Sequence, residues 1–157
     1  MKRKSMAVIG MVVGCLMMVA GAAWAFGPLE TGTVNPNGTI TIGTLVWLKD
    51  PNKCTGNINW DAAMSRAKSL KSGECGLTDG SKAGQWRLPT PDELIFICEN
   101  KGLFQNIGNG DYWSSVTSYG VNNDYAQLVR FGTVCFNSKQ GEHKMINHYS
   151  WPVRSAP

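Results

Sequence analysis

Apolar and polar positions alternate in short runs along most of the chain after residue 32, and they switch to a helical period in two places. Thr33-Val34 and Thr39-Ile40-Thr41-Ile42 flank Asn35-Pro36-Asn37-Gly38. An Asn-Gly pair between β-branched runs predicts a hairpin. Thr44 to Leu48 predicts a third strand, which Asp50-Pro51-Asn52 stops. The first change of period follows. Trp60, Ala63, Met64, Ala67 and Leu70 recur at helical spacing, with Asn59 as N-cap and Asp61 in the first turn, so an amphipathic helix turns Arg66, Lys68 and Lys71 outward. Residues 72–84 are rich in Gly, Ser and Asp and predict a long surface loop.

The second change of period lies in Gln85-Trp86-Arg87-Leu88-Pro89-Thr90-Pro91-Asp92-Glu93-Leu94. Both prolines hold the preceding residue extended, so the approach is stiff and carries Trp86 and Leu88 inward. Thr90 is placed to cap a helix whose first residue is Pro91, and Glu93 falls where a capping box needs it. That helix is expected to run to about Asn100, with Gly102 as its C-terminal cap. Arg87 alternates away from its two apolar neighbours, which suits a side chain bonding loop carbonyls or a carboxylate.

Beyond it, Leu103 to Gly110 is irregular, Asp111 to Val116 predicts a strand and Ser118 to Asp124 a polar loop. Tyr125 to Phe131 alternates with period two, Gly132-Thr133 turns, and Val134 to Phe136 returns. After a polar stretch containing Lys139, Glu142, His143 and Lys144, the last predicted strand is His148 to Arg154. Strands, two helices and then more strands make an α+β domain, not a βαβ array. Trp47, Trp60, Trp86 and Trp113 all sit among apolar neighbours and are expected to be structural.

The first 25 residues do not fit this pattern. Lys2, Arg3 and Lys4 precede an apolar run from Met6 to Ala22, and Ala23-Trp24-Ala25 has the small-x-small form of a cleavage site. Residues 1–25 read as a signal peptide and residues 26–157 as one domain, placing the mature protein in the periplasm or outside the cell. Val12-Val13-Gly14-Cys15 offers a second reading, a lipobox that would anchor the protein through acylated Cys15. An uncleaved anchor needs about 20 apolar residues and is the third. A membrane association is expected only if Cys15 is lipidated or the leader is retained.

Removing the leader changes the charge picture. Three of the fifteen Lys and Arg leave with it and none of the eleven Asp and Glu, so the basic balance belongs mostly to the leader. No cluster of bases remains to neutralise a phosphate backbone, and no nucleic-acid partner is expected.

Cys54, Cys75, Cys98 and Cys135 remain, an even set in a chain bound for an oxidising compartment, and two disulfides are the leading expectation. Cys54 and Cys75 bracket the first helix. Cys98 ends the second, with Cys135 on a strand expected beside it. This placement predicts Cys54–Cys75 and Cys98–Cys135 among the three possible connectivities. No pair has zinc spacing, His143 and His148 complete no ligand cluster, and no Cys-x-x-Cys occurs. Asp79-Gly80-Ser81 lacks the spaced carboxylates of a calcium loop, and Ser114-Ser115 lack a nucleophile elbow. No metal and no cofactor is expected.

Five motifs in fixed order carry a resemblance. Leu45-Val46-Trp47-Leu48-Lys49-Asp50, Trp60-Asp61-Ala62-Ala63, Gly84-Gln85-Trp86-Arg87-Leu88-Pro89-Thr90 with Glu93-Leu94, Tyr112-Trp113-Ser114-Ser115 and Trp151-Pro152-Val153-Arg154 together resemble the Legionella collagen-like protein C-terminal domain family. The resemblance implies a C-type lectin-like fold, similar also to the formylglycine-generating enzymes, with two helices, small antiparallel sheets, neighbouring termini and a long-loop region. It implies an exported bacterial protein; the family's namesake is an adhesin that binds sulfated polysaccharides. The collagen-like repeats of the namesake are missing, which puts multivalent adhesion in doubt.

Two classes of function follow. One is a non-catalytic binding module for a glycan or a surface protein, its ligand met by the loops between Leu103 and Asp124 and in particular by Tyr119, Asn122, Asn123 and Asp124. The calcium-dependent lectin signatures Glu-Pro-Asn and Trp-Asn-Asp are absent. The other class is an oxidase like the formylglycine-generating relatives, which hold copper on a cysteine pair. This is an analogy of fold.

Overall fold

The computed structural model describes residues 32–104, 106–118 and 123–157. The expected leader, Cys15 and two of the candidate binding residues, Tyr119 and Asn122, lie outside the described residues. In chain order the strands and helices are β1 (Thr33–Val34), β2 (Thr39–Ile42), β3 (Leu45–Leu48), β4 (Asn57–Ile58), α1 (Trp60–Ser69), α2 (Pro91–Glu99), β5 (Gly110–Thr117), β6 (Tyr125–Phe131), β7 (Phe136–His143), β8 (His148–Tyr149) and β9 (Val153–Ser155). The strands form two sheets, one ordered β1-β2-β3-β9 and one β4-β8-β5-β6-β7. All pairings are antiparallel except β5 with β8, which run parallel at Tyr112 and Tyr149. Two helices and small sheets make this the α+β arrangement that the element order and the resemblance implied, and two disulfides staple it as the cysteine count led one to expect. Among the described residues no helix is long and apolar enough to cross a membrane.

Local chemistry explains why the elements start where they do. Asn35 Nδ2 donates to the hydroxyls of Thr39 and Thr41 at 2.9 Å and locks the first hairpin. Gly38 at its tip has φ 85°, and a side chain there would collide with the Gly76 carbonyl oxygen. Asn59 caps α1 by accepting from Ala62 N at 2.9 Å. At α2 the capping box is complete: Thr90 Oγ1 accepts from Glu93 N at 3.2 Å, and Thr90 N donates to Glu93 Oε2 at 2.8 Å.

The larger core packs the first sheet against α2 and the inner face of β5 and β6, through Ile40, Trp47, Leu94, Ile97, Tyr112 and Phe131. Trp151 stands at its centre, edge-on to Trp47 at 5.5 Å and to Phe104 at 4.6 Å, with its indole N–H donating to Leu48 O at 2.7 Å. A smaller core joins Ala63 and Ala67 of α1 to Leu88, Trp113, Ala126 and Leu128. Trp47, Trp86 and Trp113 are buried as expected. Trp60 is only half-buried at the margin of the smaller core. Both expected disulfides are present, Cys54–Cys75 and Cys98–Cys135.

Several features differ from the sequence reading. α2 ends on Asn100, whose side chain donates back to Phe96 O at 2.7 Å, while Gly102 falls inside a following 3-10 turn and caps nothing. The return strand is Phe136–His143, not Val134 to Phe136, so Cys135 lies just before it. The expected strand His148 to Arg154 divides into β8 and β9, which join different sheets. Residues 72–84 are more than surface loop. Leu77 and Ser81 are buried, and the fully buried Asp79 carboxylate meets the Arg154 guanidinium at 3.0 Å.

Candidate binding surface

The stretch from Leu103 to Asp124 is not one surface, because β5 occupies its middle. An eight-residue strand spans roughly 25 Å, so residues 106–109, and residues 118, 123 and 124, lie at opposite ends of the larger sheet. The first of these loops uses its polar groups internally. Asn106 Nδ2 donates to Asp50 Oδ2 at 2.7 Å, the Asn106 carbonyl accepts from Asn52 Nδ2, and Gly108 O accepts the Tyr112 hydroxyl at 3.2 Å. Burial, with Tyr149 beside it, pushes that hydroxyl up to about 12.

The other end presents side chains outward. Asn123, with φ 55°, and Asp124 are exposed where the chain enters β6. Alternation along β6 sends Ala126 and Leu128 into the smaller core, leaving Tyr125 at the edge with 39% of its surface open. Tyr125 pairs with His143 across β6 and β7, and the two rings meet edge-on at 5.4 Å. Backbone bonds hold the junction: Ser118 N donates to Tyr125 O at 2.9 Å, and Lys144 N to Asp124 O at 2.8 Å. His143 Nδ1 accepts from Met145 N at 3.2 Å, so the proton of the neutral ring sits on Nε2. Lys144 turns its ammonium over the Trp60 ring, 4.3 Å from the centroid. The Trp60 indole N–H in turn donates to Ser114 O at 2.8 Å.

Asn123 and Asp124 are therefore brought beside Tyr125 and His143, which the sequence reading did not count among the binding residues. Tyr125 had a legible signal, since it shares the period-two run whose inward members are Ala126 and Leu128. His143 had none, because β7 was read as a polar connection.

Other candidates resolve into structure. The pairing of β5 with β6 shifts between Trp113 and Thr117, and this bulge turns Ser114 and Ser115 backbone groups away from the ladder. Ser114 O accepts from Trp60, Ser115 N donates to Pro89 O at 2.7 Å, and the Ser114 hydroxyl donates to Gln127 O at 2.9 Å. The Ser-Ser pair mends a bulge. Arg87 closes its fork on Glu93 at 2.8 and 2.7 Å and donates to Leu88 O at 3.1 Å. Burial pushes the Glu93 carboxyl upward, but the hydrogen bonds from Arg87 and Thr90 outweigh it and hold that carboxyl below the ordinary range. Among the described residues no three His, Cys, Asp or Glu side chains converge as a metal site requires.

No curated protein matches the chain. The family model of the Lcl C-terminal domain matches residues 41–154, from within β2 into β9, and takes in both helices, both disulfides and the Tyr125–His143 surface. The chain belongs to the Lcl C-terminal domain family.

Proposed function

We propose that this protein is an exported, non-catalytic binding module that recognises a polysaccharide or a surface protein. The observation that carries this reading is the partly open Tyr125 ring, backed by His143 and flanked by exposed Asn123 and Asp124 on a rigid strand junction. An aromatic face accepts the apolar face of a sugar ring or a side chain, and neighbouring Asn and Asp bond hydroxyls or amides. Tyr119 and Asn122 stand just before Asn123 in the sequence and are included in the proposed site. Two disulfides suit an extracytoplasmic location, periplasmic or secreted. The oxidase reading requires a free cysteine pair to hold copper. Cys54, Cys75, Cys98 and Cys135 are each spent on a disulfide, which favours the binding module.

A glycan array and a surface-protein screen on the purified protein test the proposal. Tyr119, Asn122, Asn123 and Asp124 replaced together by Ala, and separately Tyr125→Ala, should each weaken binding to the ligand found while the melting curve stays nearly unchanged. Undiminished affinity in both variants would move the site elsewhere.

A further inference from the structure

The two disulfides differ in what surrounds each sulfur. Cys98 is 1% exposed, on the core face of α2 with Leu94 and Ile97. Cys135 is half-buried, and both cysteines reach a groove of about 560 Å³ that Glu99 and Lys101 also line, but a thiolate that attacks Cys135 there must expel Cys98, which is almost wholly buried on the core side of α2 and is a poor leaving group as a thiolate. Cys54 and Cys75 are both half-buried and open into different grooves. Cys54 lines one of about 570 Å³ with Thr55, Ala62 and Ser65. Cys75 lines a second, of about 220 Å³, with Lys49, Lys53 and Asp50.

Arg66 sits over this bond. Its Nε donates to Cys54 O at 3.5 Å, and its Nη2 points at Cys75 Sγ from 3.7 Å. With Lys49 and Lys53 on the same groove against Asp50, the surroundings of Cys75 favour a thiolate. Cys75 also holds the left-handed backbone conformation, φ 55°, which is unfavourable for a residue with a side chain.

From this asymmetry we infer that Cys54–Cys75 is a thiol-exchange site for a dithiol oxidoreductase, attacked at Cys54 with Cys75 as the leaving group. A thiolate of the dithiol approaches Cys54 Sγ through the larger groove, which Arg66 also lines. A mixed disulfide forms at Cys54 as the Cys54–Cys75 bond breaks, and Cys75 leaves as a thiolate beside Arg66. The second thiol of the partner then displaces Cys54, so the partner ends oxidised and both cysteines end reduced. The loop stays in place without the bond, because Leu77 is 1% exposed in the core and Thr78 N donates to Asn37 O at 3.0 Å.

The test uses the purified oxidised protein under native conditions, with dithiothreitol as reductant, timed alkylation and peptide mapping. Cys54 and Cys75 should be labelled about tenfold faster than Cys98 and Cys135, because the more acidic leaving thiol leaves faster in thiol–disulfide exchange. A thioredoxin-type protein with its resolving cysteine replaced by serine should be trapped on Cys54. Arg66→Gln should slow the opening about threefold, since the leaving Cys75 thiolate loses its neighbouring cation, and leave Cys98–Cys135 unaffected. Trapping on Cys75, equal labelling of the two bonds, prior opening of Cys98–Cys135, or an Arg66→Gln variant that opens at the parent rate would each overturn the assignment.

Discussion

Arg87 shows how a side chain that resembles a ligand-binding cation can instead serve the fold. Its guanidinium grips the carboxylate that also caps α2, and its backbone pairs with Val153 at 2.9 Å in both directions. Arg87→Ala removes only the side-chain bonds. The Arg87 side chain is 43% exposed, so the expected loss is about 1 kcal/mol, near the upper end for solvent-screened pairs, measured as a lower melting temperature. A folded-state carboxyl held below its unfolded value stabilises the protein above that unfolded value, and the contribution fades as pH falls through the folded value. Melting temperature should therefore drop on acidification below about pH 4.5, and less steeply in Arg87→Ala than in the parent. Asp79 is the more demanding case. Burial raises its carboxyl, and the Ser81 hydroxyl and N–H with Arg154 more than reverse that. Arg154→Ala leaves this carboxylate buried without its cation and should cost about 3 kcal/mol in chemical denaturation. The position of Arg87 opposite Trp86 and Leu88 was readable from alternation. The Asp79–Arg154 pair was not, because its partners are 75 residues apart and nothing local marks them.

At the scale of elements, α2 is the best specified, since every group of its capping box lies within four residues. Thr90→Ala should lower stability by about 1 kcal/mol. The polar strand β7 is the opposite case. It is an edge strand with no buried residue, so it carries no inward-facing apolar set for a pattern to reveal, and it belongs to the sheet through its pairing with β6. Its pairing shifts between Ala126 and Leu128, and near that shift Gly141 takes φ 71°, where an added side chain would strike Ala126 O and Ser118 Oγ. Gly141→Ala should cost more than about 1 kcal/mol in a denaturant titration and disturb the Tyr125–His143 surface at the end of the strand. Unchanged stability would show that the bulge adapts. His148 to Tyr149 and Val153 to Ser155 read as one strand because both are extended, and Ser150-Trp151-Pro152 between them drives Trp151 into the core as the chain changes sheets.

Across the whole molecule, the two disulfides tie segments 21 and 37 residues apart. The bond between Cys98 and Cys135 closes the longer loop, and replacing both by Ala should cost about 4 kcal/mol, a loss of roughly 15 °C in melting temperature for a domain of this size. A drop of only a few degrees would mean that α2 is held to β6 and β7 by packing alone. By itself the sequence determined the hairpin, both helix starts, the buried fate of Trp47, Trp86 and Trp113, and the pairing of the cysteines. Most rest on chemistry between near neighbours: a turn that needs glycine, a cap three residues away, an apolar period, two cysteines that flank a helix; Cys98–Cys135 followed once Cys54 and Cys75 were paired and a strand was expected beside the second helix. Tertiary structure alone decided that Trp151 is the centre of the core, that residues 106–109 and residues 123–124 face opposite ends of the sheet, and that Tyr125 meets His143. Those outcomes depend on which strands become neighbours, and strand order is set by the summed packing of distant segments, which no local run of residues encodes.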